Sequence, residues 1–378
     1  MNWLYVTIRD YQSYGLLAFV LTVFATPVAM RIAQRFGVMD MPDRKLKPHA
    51  RPTPYLGGTA ICLGWAVAVA AAIVEGLVEW HFMVPLLLGG VTISAIGLLD
   101  DVLDISPRLR LGLNAAVIAF VLMITGVGSR FTDCLLGPIG IDVPPIVATP
   151  VSVLISIFVV LGACNSANLI DGLDGLCSGV TAIISLGFFL LAAHLASWDR
   201  TQHEDDPARL VLAIALFGAT MGFLPLNFNP ARIFMGDAGS MLLGYNCGML
   251  IVLFAEWGWL RWVLGGIMVF ALPITDTALA MYRRWRCGRS IFAGDRSHFY
   301  DQLVDRGIPV RKVVAISYAL TAFFALMGCM PIWLRTRYTI VLYTVIGIAI
   351  VLVIWAARMV RADDLSTAPA SPTAADEA

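Results

Sequence analysis

The sequence predicts an all-α integral membrane protein, a polytopic bundle of about eleven transmembrane helices with the N-terminus outside and the C-terminus cytoplasmic. Three observations predict it. Of 378 residues, 59% are hydrophobic and 14% charged, with mean hydropathy +0.80, whereas a soluble domain carries about 25% charged residues. Apolar segments near the length that crosses a bilayer recur along the whole chain. The basic residues fall mainly on alternate connections. Net charge is zero and says nothing about partners; no nucleic-acid signature is present.

The apolar segments run 13–33, 56–79, 82–100, 109–128, 147–168, 174–196, 209–227, 240–256, 258–281, 313–333 and 337–358. Backbone polar groups in such segments must be satisfied internally, so each is read as a helix. The first segment is long and lacks a strongly basic flank, which predicts a retained span rather than a cleaved leader. The connections after segments one, three, five, seven and nine, with the segment ends that adjoin them and the C-terminal tail, hold 19 of the 26 basic residues. By the positive-inside tendency that face is cytoplasmic. Residues 1–360 then form one transmembrane domain, and the Ala-, Pro- and acid-rich tail 361–378 is expected to be disordered. The charge run WDRTQHEDDPAR on the other face reads as a hydrated loop. Seven cysteines are scattered through or beside apolar runs without metal-ligand spacing and read as small buried hydrophobes.

The polar motifs all fall on the face read as cytoplasmic. NSANLIDGLDGL follows the fifth segment and places Asn165, Asn168, Asp171 and Asp174 at intervals of three. On a continued helix, each lies roughly 60° around the axis from the next, so neighbours share a face. Capping a helix would use one or two of these side chains, not four. GLLDDVLD ends the third segment with Asp100, Asp101 and Asp104. Carboxylates this close repel unless a cation offsets them, and hard oxygen ligands suit Mg²⁺ or Mn²⁺. The bland alternative is a hydrated helix end balanced by Arg108 and Arg110.

NFNPARIFMGDAGS offers Asp237 between glycines at a helix start. Such a residue can cap the helix, or face a metal while free backbone amides face a phosphate. The connection 283–312 carries GDRSHFYDQL, in which Arg296 and His298 suit a diphosphate clamp, while Arg283, Arg284, Arg286 and Arg289 read as headgroup anchors. DRKLKPHARPTPYLGG supplies Arg44, Lys45, Lys47 and His49 before a Pro-Gly turn, as an anchor or as an anionic-substrate contact. Asp276 lies within the ninth segment and is expected to make a structural ion pair or hydrogen bond.

Together and in order, GLLDDVLD, NSANLIDGLDGL, FNPARIFMGDAGS and the DRxH loop resemble the polyprenyl-phosphate N-acetylhexosamine-1-phosphate transferases, the superfamily of bacterial WecA and MraY, on its WecA-like branch. The resemblance extends from about Asp40 to Arg306. It implies transfer of a HexNAc 1-phosphate from a UDP-sugar to undecaprenyl phosphate, giving UMP and a lipid-linked diphosphate sugar, a first step in cell-surface polysaccharide synthesis. Carried onto this chain, it implies Asp100 and Asp101 as catalytic and Asp237, Asn168 and Asp171 as holding Mg²⁺, with Mn²⁺ as substitute. Asn165, Asp174, Arg110, Lys45, Arg296 and His298 would contact substrate. The expected partners are a UDP-N-acetylhexosamine, undecaprenyl phosphate and the bilayer, with a homodimer as the assembly to test. The expected setting is the bacterial inner membrane, with the active site on the cytoplasmic face.

One departure stands out. WecA-like enzymes carry HxHH in the last loop, whereas here His298 precedes Phe299, Tyr300 and Asp301. This argues against a muramoyl-pentapeptide substrate and leaves both a GlcNAc-type sugar and a 6-deoxy N-acetylated sugar as donors. Two rivals are kept. A UbiA-like prenyltransferase also uses acidic motifs with Mg²⁺, but leaves GDAGS and the Arg296, His298 pair unexplained. A transporter predicts broken helices and acids near the midplane.

Overall fold

Apolar runs bounded by charge, proline and glycine form helices wherever the sequence places them. The computed structural model describes residues 2–41, 52–198, 205–256, 258–288, 298–357 and 359. Its helices are α1 (Asn2–Phe36), α2 (Gly57–Val74), α3 (Trp80–Leu103), α4 (Pro107–Thr125), α5 (Phe131–Leu136), α6 (Pro145–Leu169) and α7 (Leu176–Trp198). There follow α8 (Asp205–Asn227), α9 (Gly236–Ala255), α10 (Leu260–Val269), α11 (Ala271–Arg286), α12 (Phe299–Asp305), α13 (Val310–Gly328) and α14 (Thr336–Ala356). The tail 361–378 lies outside the described residues.

Among the described residues, ten helices are long and apolar enough to cross a membrane, and eleven if α10 and α11 count as one broken span. The expected ninth span is therefore two helices, bent by 74°. Pro273 accounts for the break: in a continuous helix its ring would clash with the carbonyl of Val269, and it has no N–H to donate.

The centre of the bundle is α9, whose residues from Ala238 to Ala255 are all buried. Helices α3 and α6 pack along it, with α2, α8 and α10 beside them, and α1 packs on α2 and α8. Between membrane helices apolar burial gives little net attraction, so close packing through small residues takes its place. Gly97 of α3 lies so near the start of α9 that a Cβ there would come within 2.5 Å of the Asp237 carbonyl. Nearby, the Ser94 hydroxyl donates to the Ala238 carbonyl at 3.0 Å. At the far end of the bundle, the buried Arg209 donates to the Leu253 carbonyl at 2.7 Å, offsetting the negative end of α9.

The Pro-Gly turn before α2 is fixed in the same way. Met39–Asp40 (β1) and Thr53–Pro54 (β2) form a short antiparallel pair. Beyond it, Phe234 N donates to the Pro54 carbonyl at 2.9 Å, while Gly57 N and Gly58 N donate to Phe234 and Met235 at 2.9 and 2.8 Å. A Cβ on Gly58 would stand 2.1 Å from the backbone nitrogen of Gly239, which cannot move aside cheaply. Gly58→Ala is therefore expected to lower stability by about 1–3 kcal/mol or more, read as a drop in thermal midpoint of the detergent-solubilised protein. An unchanged midpoint would contradict this docking.

Candidate active site

The acidic motifs meet at the end of the bundle where α2 and α9 begin and α3 and α6 stop. The expected run of acids along one helical face is not continued. Helix α6 ends at Leu169, so Asp171 and Asp174 stand in the turn 170–175, where Gly175 takes a left-handed φ of +77°. Likewise α3 ends at Leu103, and Asp104 is left-handed with φ +50° as the chain swings toward Pro107 at the start of α4. Asp104, whose N–H caps α3 on the Asp100 carbonyl at 2.9 Å, is exposed.

Asp237 opens α9, after Gly236 at φ +71°. One carboxylate oxygen accepts from the Asn168 amide at 2.8 Å, and the other pairs with the guanidinium of Arg110. The same Arg110 nitrogen pairs with Asp100, so one arginine from α4 ties the end of α3 to the start of α9. Asn168 also donates to the Ser240 hydroxyl at 3.1 Å. Asp101 faces the other way. Its two carboxylate oxygens accept from the backbone N–H groups of Asp237 at 2.8 Å and Ala238 at 3.2 Å, which caps α9 from a distant part of the chain. The contact is tight enough that a Cβ on Gly236 would fall 2.5 Å from an Asp101 oxygen.

Tyr55, which no motif singles out, lines the same cavity as Asp101 and Asp237. Burial and the negative charges of Asp101, Asp237, Asp171 and Asp40 push its phenol well above the ordinary tyrosine range. The only hint in the sequence was its place in the Pro-Gly turn. Asp171 in the turn is pushed up to about 8, first by burial and then by the charges of Asp237, Asp101 and Asp174.

The remaining expected residues are placed as follows. Asp174 accepts from the Asn229 amide and the Ala231 N–H, both at 2.9 Å, and so joins the turn to the loop before α9. The Asn165 amide donates back to the Leu161 carbonyl at 2.8 Å. His298 is buried against Asp276, its Nδ1 at 2.7 Å from the carboxylate. Asp276 thus makes the structural hydrogen bond expected of it, to α12 rather than to a neighbouring span. Lys45 and Arg296 lie outside the described residues.

Among the described residues, no three His, Cys, Asp or Glu side chains are grouped as a metal cage. The reason is local: Arg110 stands between Asp100 and Asp237, and Asp101 is engaged by backbone amides. The donor chemistry nevertheless suits a hard divalent cation. Asp237, Asp171 and the Asn168 amide carry oxygens of that kind, and Asp171, raised first by burial and then by the charges of Asp237, Asp101 and Asp174, is a carboxylate that a cation would stabilise.

The group opens into a cavity of about 830 Å³ lined by Asp100, Asp101, Asp104, Arg110, Asp237 and Tyr55, together with Phe36, Val38, Met39, Asp40 and Met41 from the end of α1 and the strand after it. Five aspartates against one arginine make this lining acidic, so an anionic group is accommodated there only with a cation beside it.

The sequence profile described as Glycosyl transferase family 4 matches residues 83–255, the stretch from α3 through α9. The decaprenyl-phosphate N-acetylglucosaminephosphotransferase of Mycolicibacterium smegmatis is 32% identical, covering 92% of this chain and 88% of that protein. A probable undecaprenyl-phosphate N-acetylglucosaminyl 1-phosphate transferase of Bacillus subtilis is 30% identical over 84% of this chain and 85% of its own length. The undecaprenyl-phosphate alpha-N-acetylglucosaminyl 1-phosphate transferase of Escherichia coli K12 is 27% identical over 82% of this chain and 81% of its own. With acids from α3 and α9 drawn to one arginine in the lining of a single cavity, and with similarity running nearly end to end, the chain belongs to glycosyl transferase family 4, among the polyprenyl-phosphate N-acetylhexosamine-1-phosphate transferases.

Proposed function

We propose that this protein transfers a HexNAc 1-phosphate from a UDP-N-acetylhexosamine to undecaprenyl phosphate at the cytoplasmic face of a bacterial inner membrane, releasing UMP. In the balanced step, the bond between the donor's two phosphates breaks, an oxygen of the lipid phosphate bonds to the sugar-bearing phosphorus, and UMP leaves with the electron pair. The observation that carries this reading is the similarity, over most of the chain, to polyprenyl-phosphate N-acetylglucosamine-phosphotransferases, with Asp100, Asp237 and Arg110 converging on one cavity that Phe36 and Met41 also line. An anionic lipid head reaches this polar lining, with a cation beside it, while its isoprenoid tail stays among side chains such as Phe36 and Met41.

Bringing a lipid phosphate onto a diphosphate gathers several negative charges, which must be offset for the reaction to proceed. Arg110 supplies one fixed positive charge from within the protein. Asp237, Asp171 and Asn168 are the residues that would hold Mg²⁺, and when bound that ion supplies electrostatic stabilisation of the transferring phosphoryl group. Asp100, on the cavity wall, is the candidate to take a proton from the acceptor phosphate. Asp101 acts through the backbone of α9, holding Asp237 in place.

The test is purified protein with undecaprenyl phosphate, Mg²⁺ and a panel of UDP-GlcNAc and 6-deoxy UDP-HexNAc donors, with UMP followed. UMP release dependent on the lipid is expected. Pyrophosphate release instead would favour the prenyltransferase reading. The transporter reading gains one of its markers in the broken α10–α11 pair. Asp276, just past the bend, is however engaged on both oxygens by His298 and the Phe299 N–H, and so is not available to a passing solute.

A further inference from the structure

Asp276 and His298 are 22 residues apart in sequence, and both are almost fully buried, at 2% and 3% exposure. A buried carboxylate is costly unless its oxygens are engaged. Here one oxygen meets His298 Nδ1 at 2.7 Å and the other accepts from Phe299 N at 2.9 Å. His298 is fixed further as its own N–H donates to Asp301 at 3.3 Å. The start of α12, at His298 and Phe299, is thereby pinned to the helix beyond the 74° break.

The pinning carries on toward the acids. The His298 ring stacks on Tyr300, with centroids 5.3 Å apart and planes within 5°. The Tyr300 hydroxyl donates to the Leu169 carbonyl at 2.8 Å, the last residue of α6. Tyr300 also leaves no space at Gly172, where a Cβ would fall 2.3 Å from the hydroxyl oxygen. Gly172 directly follows Asp171. A continuous line of contacts thus runs from Asp276 through His298 and Tyr300 to the turn that presents Asp171.

We propose that Asp276 is a positioning residue for the acidic turn, acting through His298 and Tyr300 to fix where Asp171 stands. This rests on the reading of Asp171 as a cation-holding group given above. Misplacing a reacting group by about 1 Å from a distant mutation lowers rates by about 10²-fold.

Two variants test it in the full-length enzyme, Asp276→Asn and Tyr300→Phe. The first keeps size but not charge, and the second keeps the ring stack but loses the bond to Leu169. Each is expected to lower kcat/KM and to raise the Mg²⁺ concentration giving half-maximal rate several-fold, and the double variant is expected to lose less than the product of the two single losses. A defect that merely reduced the amount of folded enzyme would leave the Mg²⁺ dependence unmoved. Hydrogen exchange supplies a readout that needs no turnover: amides in 169–176 should exchange faster in both variants. Unchanged exchange at 169–176 in both, or multiplicative losses with an unshifted Mg²⁺ dependence, overturns the proposal. If the parent enzyme releases no UMP from any donor while exchange at 169–176 rises in both variants, it is the function reading that fails and the linkage that stands.

Discussion

Replacing Asp237 by alanine is expected to lower UMP release by about 10²–10³-fold or more, the range seen when one preorganised electrostatic group is removed from an active site. The residue is tied in three ways, two through its side chain and one through its backbone. It pairs with Arg110, accepts from Asn168, and stands at the first turn of α9, where two backbone amides are held by Asp101. Its removal leaves the Arg110 charge with Asp100 as its remaining acidic partner and Asn168 with one bond fewer. The fold should survive, because α9 is held along its whole length by α3 and α6. The check is turnover at saturating donor, lipid and Mg²⁺, beside the thermal midpoint of the same preparation. A near-normal rate in a folded variant would reject the site.

Asp100→Ala is expected to have the second largest effect, about 10²–10⁴-fold on kcat, the usual contribution of a positioned general base. Two losses combine: a carboxylate on the cavity wall, and one of the two acids that hold Arg110. Asp100→Asn separates them. The amide oxygen can still accept from Arg110, so a role confined to holding the arginine predicts substantial rescue by asparagine. Proton transfer predicts almost none. Rates of Asp100→Asn close to those of Asp100→Ala are expected.

Much of the architecture can be read from the chain because each membrane helix must be long and apolar and must satisfy its own backbone. Leu260 to Arg286 is the exception that shows why. Its composition reads as one span, and the break is set by a single backbone clash at Pro273. The small helix α12 was equally hidden, since seven residues give too little periodicity to recognise.

The motifs at the site were legible as chemistry but not as geometry. GLLDDVLD and GDAGS announce carboxylates and a helix start, and both come to one place. That Asp101 would reach the backbone of Asp237, 136 positions onward, is written in no local pattern. Neither is the division of labour between adjacent acids, one facing Arg110 and the other facing amides. Asp174 and His298 were singled out by residue type, and here each ties two segments together. A polar side chain near a site can bond the fold or the substrate, and sequence spacing does not distinguish the two. Tyr55 is silent in the sequence because an aromatic residue in a turn carries no charge signal until its neighbours are known.

The central claim is that acids from α3, the 170–175 turn and α9 enclose one divalent cation. Mn²⁺ titration of the purified protein, followed by the EPR signal of the free ion, tests it without reliance on turnover. One bound Mn²⁺ per chain is expected, displaced by Mg²⁺ and lost in Asp237→Ala and in Asp171→Asn while helix content is unchanged. Binding that persists undiminished in both variants would contradict it.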